Sequence, residues 1–160
     1  FDITPLGVLS EWANIVKFSG SEGNAAGDRI PLVSFRPSTT QLRLSISTME
    51  ACCQECTEFS PLNVNQLYHV DVIVEEDLMQ LWVDGQLSCS RAVLASDTDS
   101  MLPPIPDTKV YFSSGTAADV LVANMYYAPT TEAPTPAPTA APTPAPTTTA
   151  PTPAPTTTAP

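Results

Sequence analysis

The chain has 160 residues and carries 17 carboxylates against 6 Lys and Arg side chains, a formal net charge of −11. A chain with so few cations has no basic patch able to neutralise phosphates, so we expect no nucleic-acid partner. The same balance argues against binding to an anionic membrane surface. No apolar run approaches the roughly 20 residues of a membrane-spanning helix, so we expect no membrane partner either.

Composition divides the chain near residue 128. From 129 to 160 the sequence contains only Pro, Thr and Ala apart from Glu132, and it includes 11 of the 18 prolines. All aromatic and cysteine residues come before that stretch. We therefore predict one folded domain over 1–128, followed by a Pro/Thr/Ala-rich repeat tail over 129–160.

The domain shows apolar residues at every second position and almost no helical periodicity, which predicts strands. Within one of them, Leu42, Leu44 and Ile46 share a face and polar residues occupy the other. The dipeptide at 84–85, Asp-Gly, suits the positive φ of a tight hairpin, and Pro31 belongs at a strand start or an edge. This spacing predicts an all-β antiparallel jelly-roll sandwich. In chain order the predicted strands are 12–18, 30–35, 42–47, 68–75, 78–83, 86–90, 110–113 and 120–127.

The four cysteines are Cys52, Cys53, Cys56 and Cys89. An even count in a small domain beside a mucin-like tail favours two disulfides in an oxidising, extracellular compartment. Because pairing the neighbours Cys52 and Cys53 is strained, we expect a member of the trio to bridge to Cys89, with the connectivity left open. A four-thiolate zinc site is the alternative, but the paired Cys-x-x-Cys spacing of zinc ribbons is missing. We assign no metal ligand.

Five short motifs resemble a known family when taken in order. They are FDITP at 1–5, WANIV at 12–16, GDRIP at 27–31, LRL at 42–44 and LWVDG at 81–85. This order is similar to the laminin-G-like, concanavalin-A-like jelly-roll family. The resemblance implies two packed antiparallel sheets and a history of carbohydrate or protein recognition, and it transfers no sugar-binding residue to this chain.

The tail is a repeat. The segment APTPAPTTT at 141–149 recurs residue for residue at 150–158. Proline at this density predicts a polyproline II helix of about 3 residues per turn and about 3.1 Å per residue, so each repeat presents the same face. Threonine beside proline in an exposed chain is typical of O-glycosylated stalks, a bare linker being the alternative. We predict O-glycans on Thr130, Thr131, Thr135, Thr139, Thr143, Thr147, Thr148, Thr149, Thr152, Thr156, Thr157 and Thr158.

No pattern in the domain predicts catalysis. His69 is the only histidine, and no nucleophile motif surrounds it. The acidic run at 75–77 is typical of a solvated turn rather than of the carboxylate pair of a glycosidase. We expect no enzyme activity and no cofactor.

Two weaker binding signals remain. Oxygen ligands for calcium could come from the turn-forming segment 97–100, from Asp28 or from Asp119, although the pattern of a helix-loop-helix calcium site is missing. Trp12 and Trp82 could each stack on a sugar ring, but large aromatic residues at strand positions more often fill a core.

These observations predict a structural subunit of an extracellular glycosylated fibre. The β-domain would make the subunit contacts in a homopolymer, and the tail would form a glycan-coated rod. The plan of a folded domain joined to Pro/Thr-rich rods resembles extracellular glycofibrils and mastigoneme-type proteins. The alternative is a lectin-like or adhesive domain that binds carbohydrate or protein and is displayed on a mucin-like stalk.

Overall fold

A computed structural model describes residues 1–20, 27–58, 60–75, 77–94, 96–102, 108–112 and 115–127. Within them, two five-stranded sheets have the orders β10-β1-β6-β7-β8 and β5-β4-β3-β2-β9, hereafter the first and the second sheet. All pairings between these strands are antiparallel. The strands are β1 Asp2–Pro5, β2 Ala13–Ser19, β3 Leu32–Phe35, β4 Leu42–Ile46, β5 Gln54–Thr57, β6 Tyr68–Glu75, β7 Leu78–Val83, β8 Gln86–Ala92, β9 Lys109–Phe112 and β10 Val120–Ala123.

The predicted all-β antiparallel sandwich is confirmed. All eight predicted strands are present with ends shifted by a few residues, and the last ends at Ala123 instead of residue 127. The four-residue strand β5 was not predicted, since Gln54–Thr57 shows no alternation of apolar and polar residues. No helix in the described part of the chain is long and apolar enough to cross a membrane.

The core lies between the inner faces of the two sheets. Alternate residues of each strand point inward, and the bulge between Asn14 and Val16 allows Ile15 and Val16 to be buried in succession. The hairpin between β7 and β8 turns at Asp84 and Gly85, with φ of 50° and 73°, as their sequence predicts. Side chains that are at most 2% exposed in this core include Ile3, Ile15, Val33, Phe35, Leu42, Leu44, Ile46, Val70, Met79 and Leu81.

The outer face of the second sheet is polar and yet buried. On β4, Arg43 is 6% exposed and Ser45 is fully buried, so both faces of this strand are covered. Arg43 lies opposite Ser34 of β3 in the antiparallel register. Alternation correctly separates the apolar from the polar side of β4, but it gives no information about chain segments that cover the polar side.

The four described cysteines are all paired, in two disulfides. Cys56 and Cys89 join β5 to β8, the neighbouring edge strands of the two sheets, so the expected bridge to Cys89 is confirmed. The expectation that strain disfavours a Cys52–Cys53 pair is wrong, because these residues form the second disulfide. Cys56 is the member of the trio that points into the core opposite Cys89, which leaves the two loop cysteines to pair with each other.

Candidate functional site

A groove of about 600 Å³ lies on the outer face of the second sheet. Its floor is made by side chains of β2, β3, β4 and β5. One wall is the segment before β2, and another is the segment around Thr116, which is held by backbone hydrogen bonds to Asn14 of 2.8 and 3.0 Å. The lining residues are Ser10, Glu11, Trp12, Asn14, Arg29, Leu32, Pro37, Arg43, Cys53, Glu55 and Thr116.

Trp12 is the aromatic residue of this groove and is 42% exposed. The prediction that it fills the core is wrong. It lies one residue before β2, and Ala13, at 2% exposure, takes the inward direction, so the indole points outward. The guanidinium carbon of Arg43 stands 4.5 Å from the centroid of the indole ring, a cation–π geometry that fixes the ring's orientation.

Charged side chains of opposite sign meet beside the indole. Arg43 donates a hydrogen bond to the Glu55 carboxylate, diagonally across β4 and β5, in an ion pair. Nη1 of Arg29 donates to the sulfur atoms of Cys52 and Cys53, so the adjacent-cysteine disulfide anchors this second guanidinium. Burial, followed by the positive charge of Arg43, lowers the pKa of Arg29. Two of the six Lys and Arg residues of an acidic chain thus share one groove.

The polar face beneath the groove retains unused hydrogen-bonding capacity. The Ser34 and Ser45 hydroxyls and Nε of Arg43 are buried without a hydrogen-bond partner in the described part of the chain. Buried polar atoms are normally paired, so three such atoms on one face require an explanation. A polar ligand in the groove would lie next to this face. The Arg43 guanidinium belongs to both, since it lines the groove and its Nε is one of the three buried atoms.

Comparisons with known proteins add little to this geometry. No family model matches the chain. A search of the curated proteins also finds no match. One solved structure similar to the chain is the native heptameric SAP-like pentraxin from Limulus polyphemus, with 12% identity and a TM-score of 0.42. The similarity covers 62% of this chain. It covers 45% of the pentraxin chain, so this chain spans about half of the pentraxin's length. Similarity at this level carries no information about ligands.

The other residues that the sequence singled out do not assemble into a site. His69 lies on the exposed face of β6, with Nδ1 2.6 Å from Asp2 and Nε2 3.2 Å from Asp71. The hydrogen bond from His69, followed by that from Asn124, lowers the pKa of Asp2. Both imidazole nitrogens face carboxylates, and no hydroxyl or thiol nucleophile contacts the ring among the described residues.

The segment 97–100, which could have supplied oxygen ligands to calcium, contributes Asp99 to internal hydrogen bonds. Asp99 accepts hydrogen bonds from the backbone N–H groups of Glu50 and Ser100, at 3.0 and 2.8 Å. Within the described ranges, no group of three or more His, Cys, Asp or Glu side chains could hold a metal ion. Glu76 and all twelve tail threonines lie outside the described residues, and so does the whole of 129–160.

Sequence reasoning missed Glu58, which follows β5 and lines a separate groove of about 450 Å³ with Asp84. Burial raises its pKa to about 7; a hydrogen bond from the Leu42 backbone opposes that shift, and the charge of Asp84 adds to it. Its Oε2 is buried without a partner in the described residues. No sequence pattern marks this residue, because the groove that it lines also includes residues of the distant β7–β8 hairpin.

Proposed function

We propose that the domain is an extracellular, non-catalytic module that recognises saccharides in the groove at Trp12. The observation that supports this most directly is a partly exposed indole beside paired charges on an otherwise closed polar face. An exposed aromatic ring can cover the apolar C–H face of a sugar, and convergent polar groups can orient its hydroxyls. Extracellular placement is supported by the two disulfides.

The groove offers both kinds of hydrogen-bonding partner that hydroxyl groups need. The Arg29 and Arg43 guanidiniums donate, while the carboxylates of Glu11 and Glu55 accept. The ion pair between Arg43 and Glu55 holds both groups in place before a ligand arrives, which lowers the entropy that binding must overcome. These features support a saccharide in preference to an apolar ligand.

The experiment is a glycan array probed with the full chain, followed by titration of any ligand found. Trp12→Ala should weaken binding by about tenfold or more, since aromatic contacts contribute on the order of 1 kcal/mol or more beyond area burial. Trp82→Ala is the matched control, because Trp82 lies on the first sheet, where its indole N–H donates to Gln80. Equal affinity of wild type and Trp12→Ala for the same glycan would refute the site.

A second candidate function is that of a subunit of a glycosylated fibre. The nine-residue repeat at 141–149 and 150–158 supports it, because a whole number of polyproline II turns per repeat suits regular stacking. Threonines at fixed positions along such a rod would carry sugars in a regular array. Electron microscopy of native material, with mass spectrometry of the tail, tests this: isolated particles bearing bare threonines would refute it.

A further inference from the structure

A second opening, distinct from the groove at Trp12, lies between the two sheets at the end of the sandwich where both described termini emerge. We call it the mouth. It encloses about 400 Å³, within the range of about 300–1,000 Å³ typical of ligand pockets. It is lined by Phe1, Val16, Phe18, Pro31, Val33, Val70, Asp71, Val72, Val74, Met125, Tyr126 and Tyr127.

Aromatic side chains surround the mouth. Phe1 and Phe18 are partly buried against the core, and the Tyr127 ring lies 5.9 Å from that of Phe18 at an angle of 40°. Tyr126 and Tyr127 are 81% and 73% exposed, so they contribute ring faces without being needed to fill the core. Grooves of this kind, apolar and lined by aromatic rings, are what proline-rich polyproline II segments bind.

The chain itself supplies such a segment. The described part ends at Tyr127, on the rim of the mouth, and the sequence continues into the Pro/Thr/Ala tail. Glu132 is the only charged residue in 129–160, whereas the remaining 16 carboxylates precede it. A nearly uncharged segment can approach a strongly acidic domain without the repulsion that two such domains exert on each other.

We propose that the mouth binds the Pro/Thr/Ala tail of a neighbouring copy of this chain. The described chain ends at the rim with Tyr127, and a segment with the polyproline II stiffness that the sequence predicts could not reverse its direction within a few residues. A contact between the mouth of one copy and the tail of the next is heterologous, and such contacts propagate into filaments unless a ring closes. Asp71, the one charged side chain among the described lining, can accept a hydrogen bond from the hydroxyl of a tail threonine that carries no glycan.

The test uses the full chain in sedimentation velocity over a range of concentrations. We expect self-association that is inhibited by a synthetic peptide of residues 141–158, and not by the same peptide with glycine at every proline. Tyr126→Ala/Tyr127→Ala should weaken association by about tenfold or more, as loss of exposed aromatic anchors does at other interfaces. The control is Leu67→Ala, which removes a 65% exposed apolar side chain that does not line the mouth.

Three outcomes would overturn the proposal. Undiminished association of the double tyrosine variant would place the contact elsewhere. A wild-type chain that binds the peptide but stays monomeric at every concentration would show that the mouth does not join copies. Absence of both peptide binding and association would remove the mouth as a tail site. None of these results depends on whether the groove at Trp12 binds saccharides, since the two sites share no lining residue.

Discussion

Replacing Glu58 with glutamine should make the domain more stable at alkaline pH. Burial raises the pKa of Glu58 from its ordinary value of 4.5 to about 7, so the folded state favours the protonated acid. Below about pH 4.5, Glu58 therefore does not reduce the free energy of unfolding. The free energy of unfolding decreases as pH rises through 7, because folding must then bury a carboxylate. Glutamine has nearly the same shape and stays neutral, so it avoids this cost.

The size of the effect follows from the same values. The interval from 4.5 to about 7, at about 1.4 kcal/mol per pH unit, gives an upper bound of about 3.5 kcal/mol. The side chain is only half buried, and solvent screening reduces that bound. We expect Glu58→Gln to raise the free energy of unfolding by about 1–2 kcal/mol at pH 8, and to change it little at pH 4.5.

Urea unfolding of the full chain at pH 4.5, 6 and 8, followed by tryptophan fluorescence, measures this difference. Glu75→Gln is the matched control, because Glu75 is exposed at the end of β6 and its substitution should leave stability within about 0.5 kcal/mol at each pH. Equal effects of Glu58→Gln at pH 4.5 and pH 8 would contradict the reasoning. So would a destabilised variant at pH 8, since that result would mean that the carboxylate is stabilised by a partner.

Two further predictions concern the covalent link between the sheets and the core. Cys56→Ala/Cys89→Ala opens a bridge with a sequence separation of 33 and should cost about 3–4 kcal/mol, whereas Cys52→Ser/Cys53→Ser should cost about 1 kcal/mol by loop-closure entropy. Guanidinium unfolding of both double variants checks this, and equal costs would refute the assignment of Cys56–Cys89 as the long-range link. Leu44→Ala removes a fully buried side chain and should cost about 2–5 kcal/mol in the same assay. A loss below about 1 kcal/mol would mean that Leu44 is not in the core.

The fold was predictable because it depends on local patterns. Period-two alternation located most strands, and the Asp84–Gly85 turn set the first β7–β8 pairs, up to a bulge between Leu81 and Trp82 that shifts the register by one residue. Pro31 lies directly before β3, at a position where the missing N–H interrupts no ladder within the strand. These signals all come from residues that are neighbours in the sequence.

The candidate sites were less predictable because distant segments build them. The groove at Trp12 combines strands of the second sheet with Arg29 and Thr116, which are far apart in the chain. Alternation indicates the sides of β4, but it cannot show that Arg43 is covered and pairs with Glu55. The groove that Glu58 lines likewise includes residues of a hairpin about twenty-five residues away.

Saccharide binding in the groove at Trp12 can be tested most directly by following the two tryptophan indole N–H signals in NMR spectra of the full chain. The chain has only Trp12 and Trp82, and the structure places them on different sheets. During titration with a glycan that binds on the array, we expect the Trp12 signal to move in a saturable way while the Trp82 signal stays in place. Movement of Trp82 alone, or of neither signal while the glycan binds, would contradict this expectation.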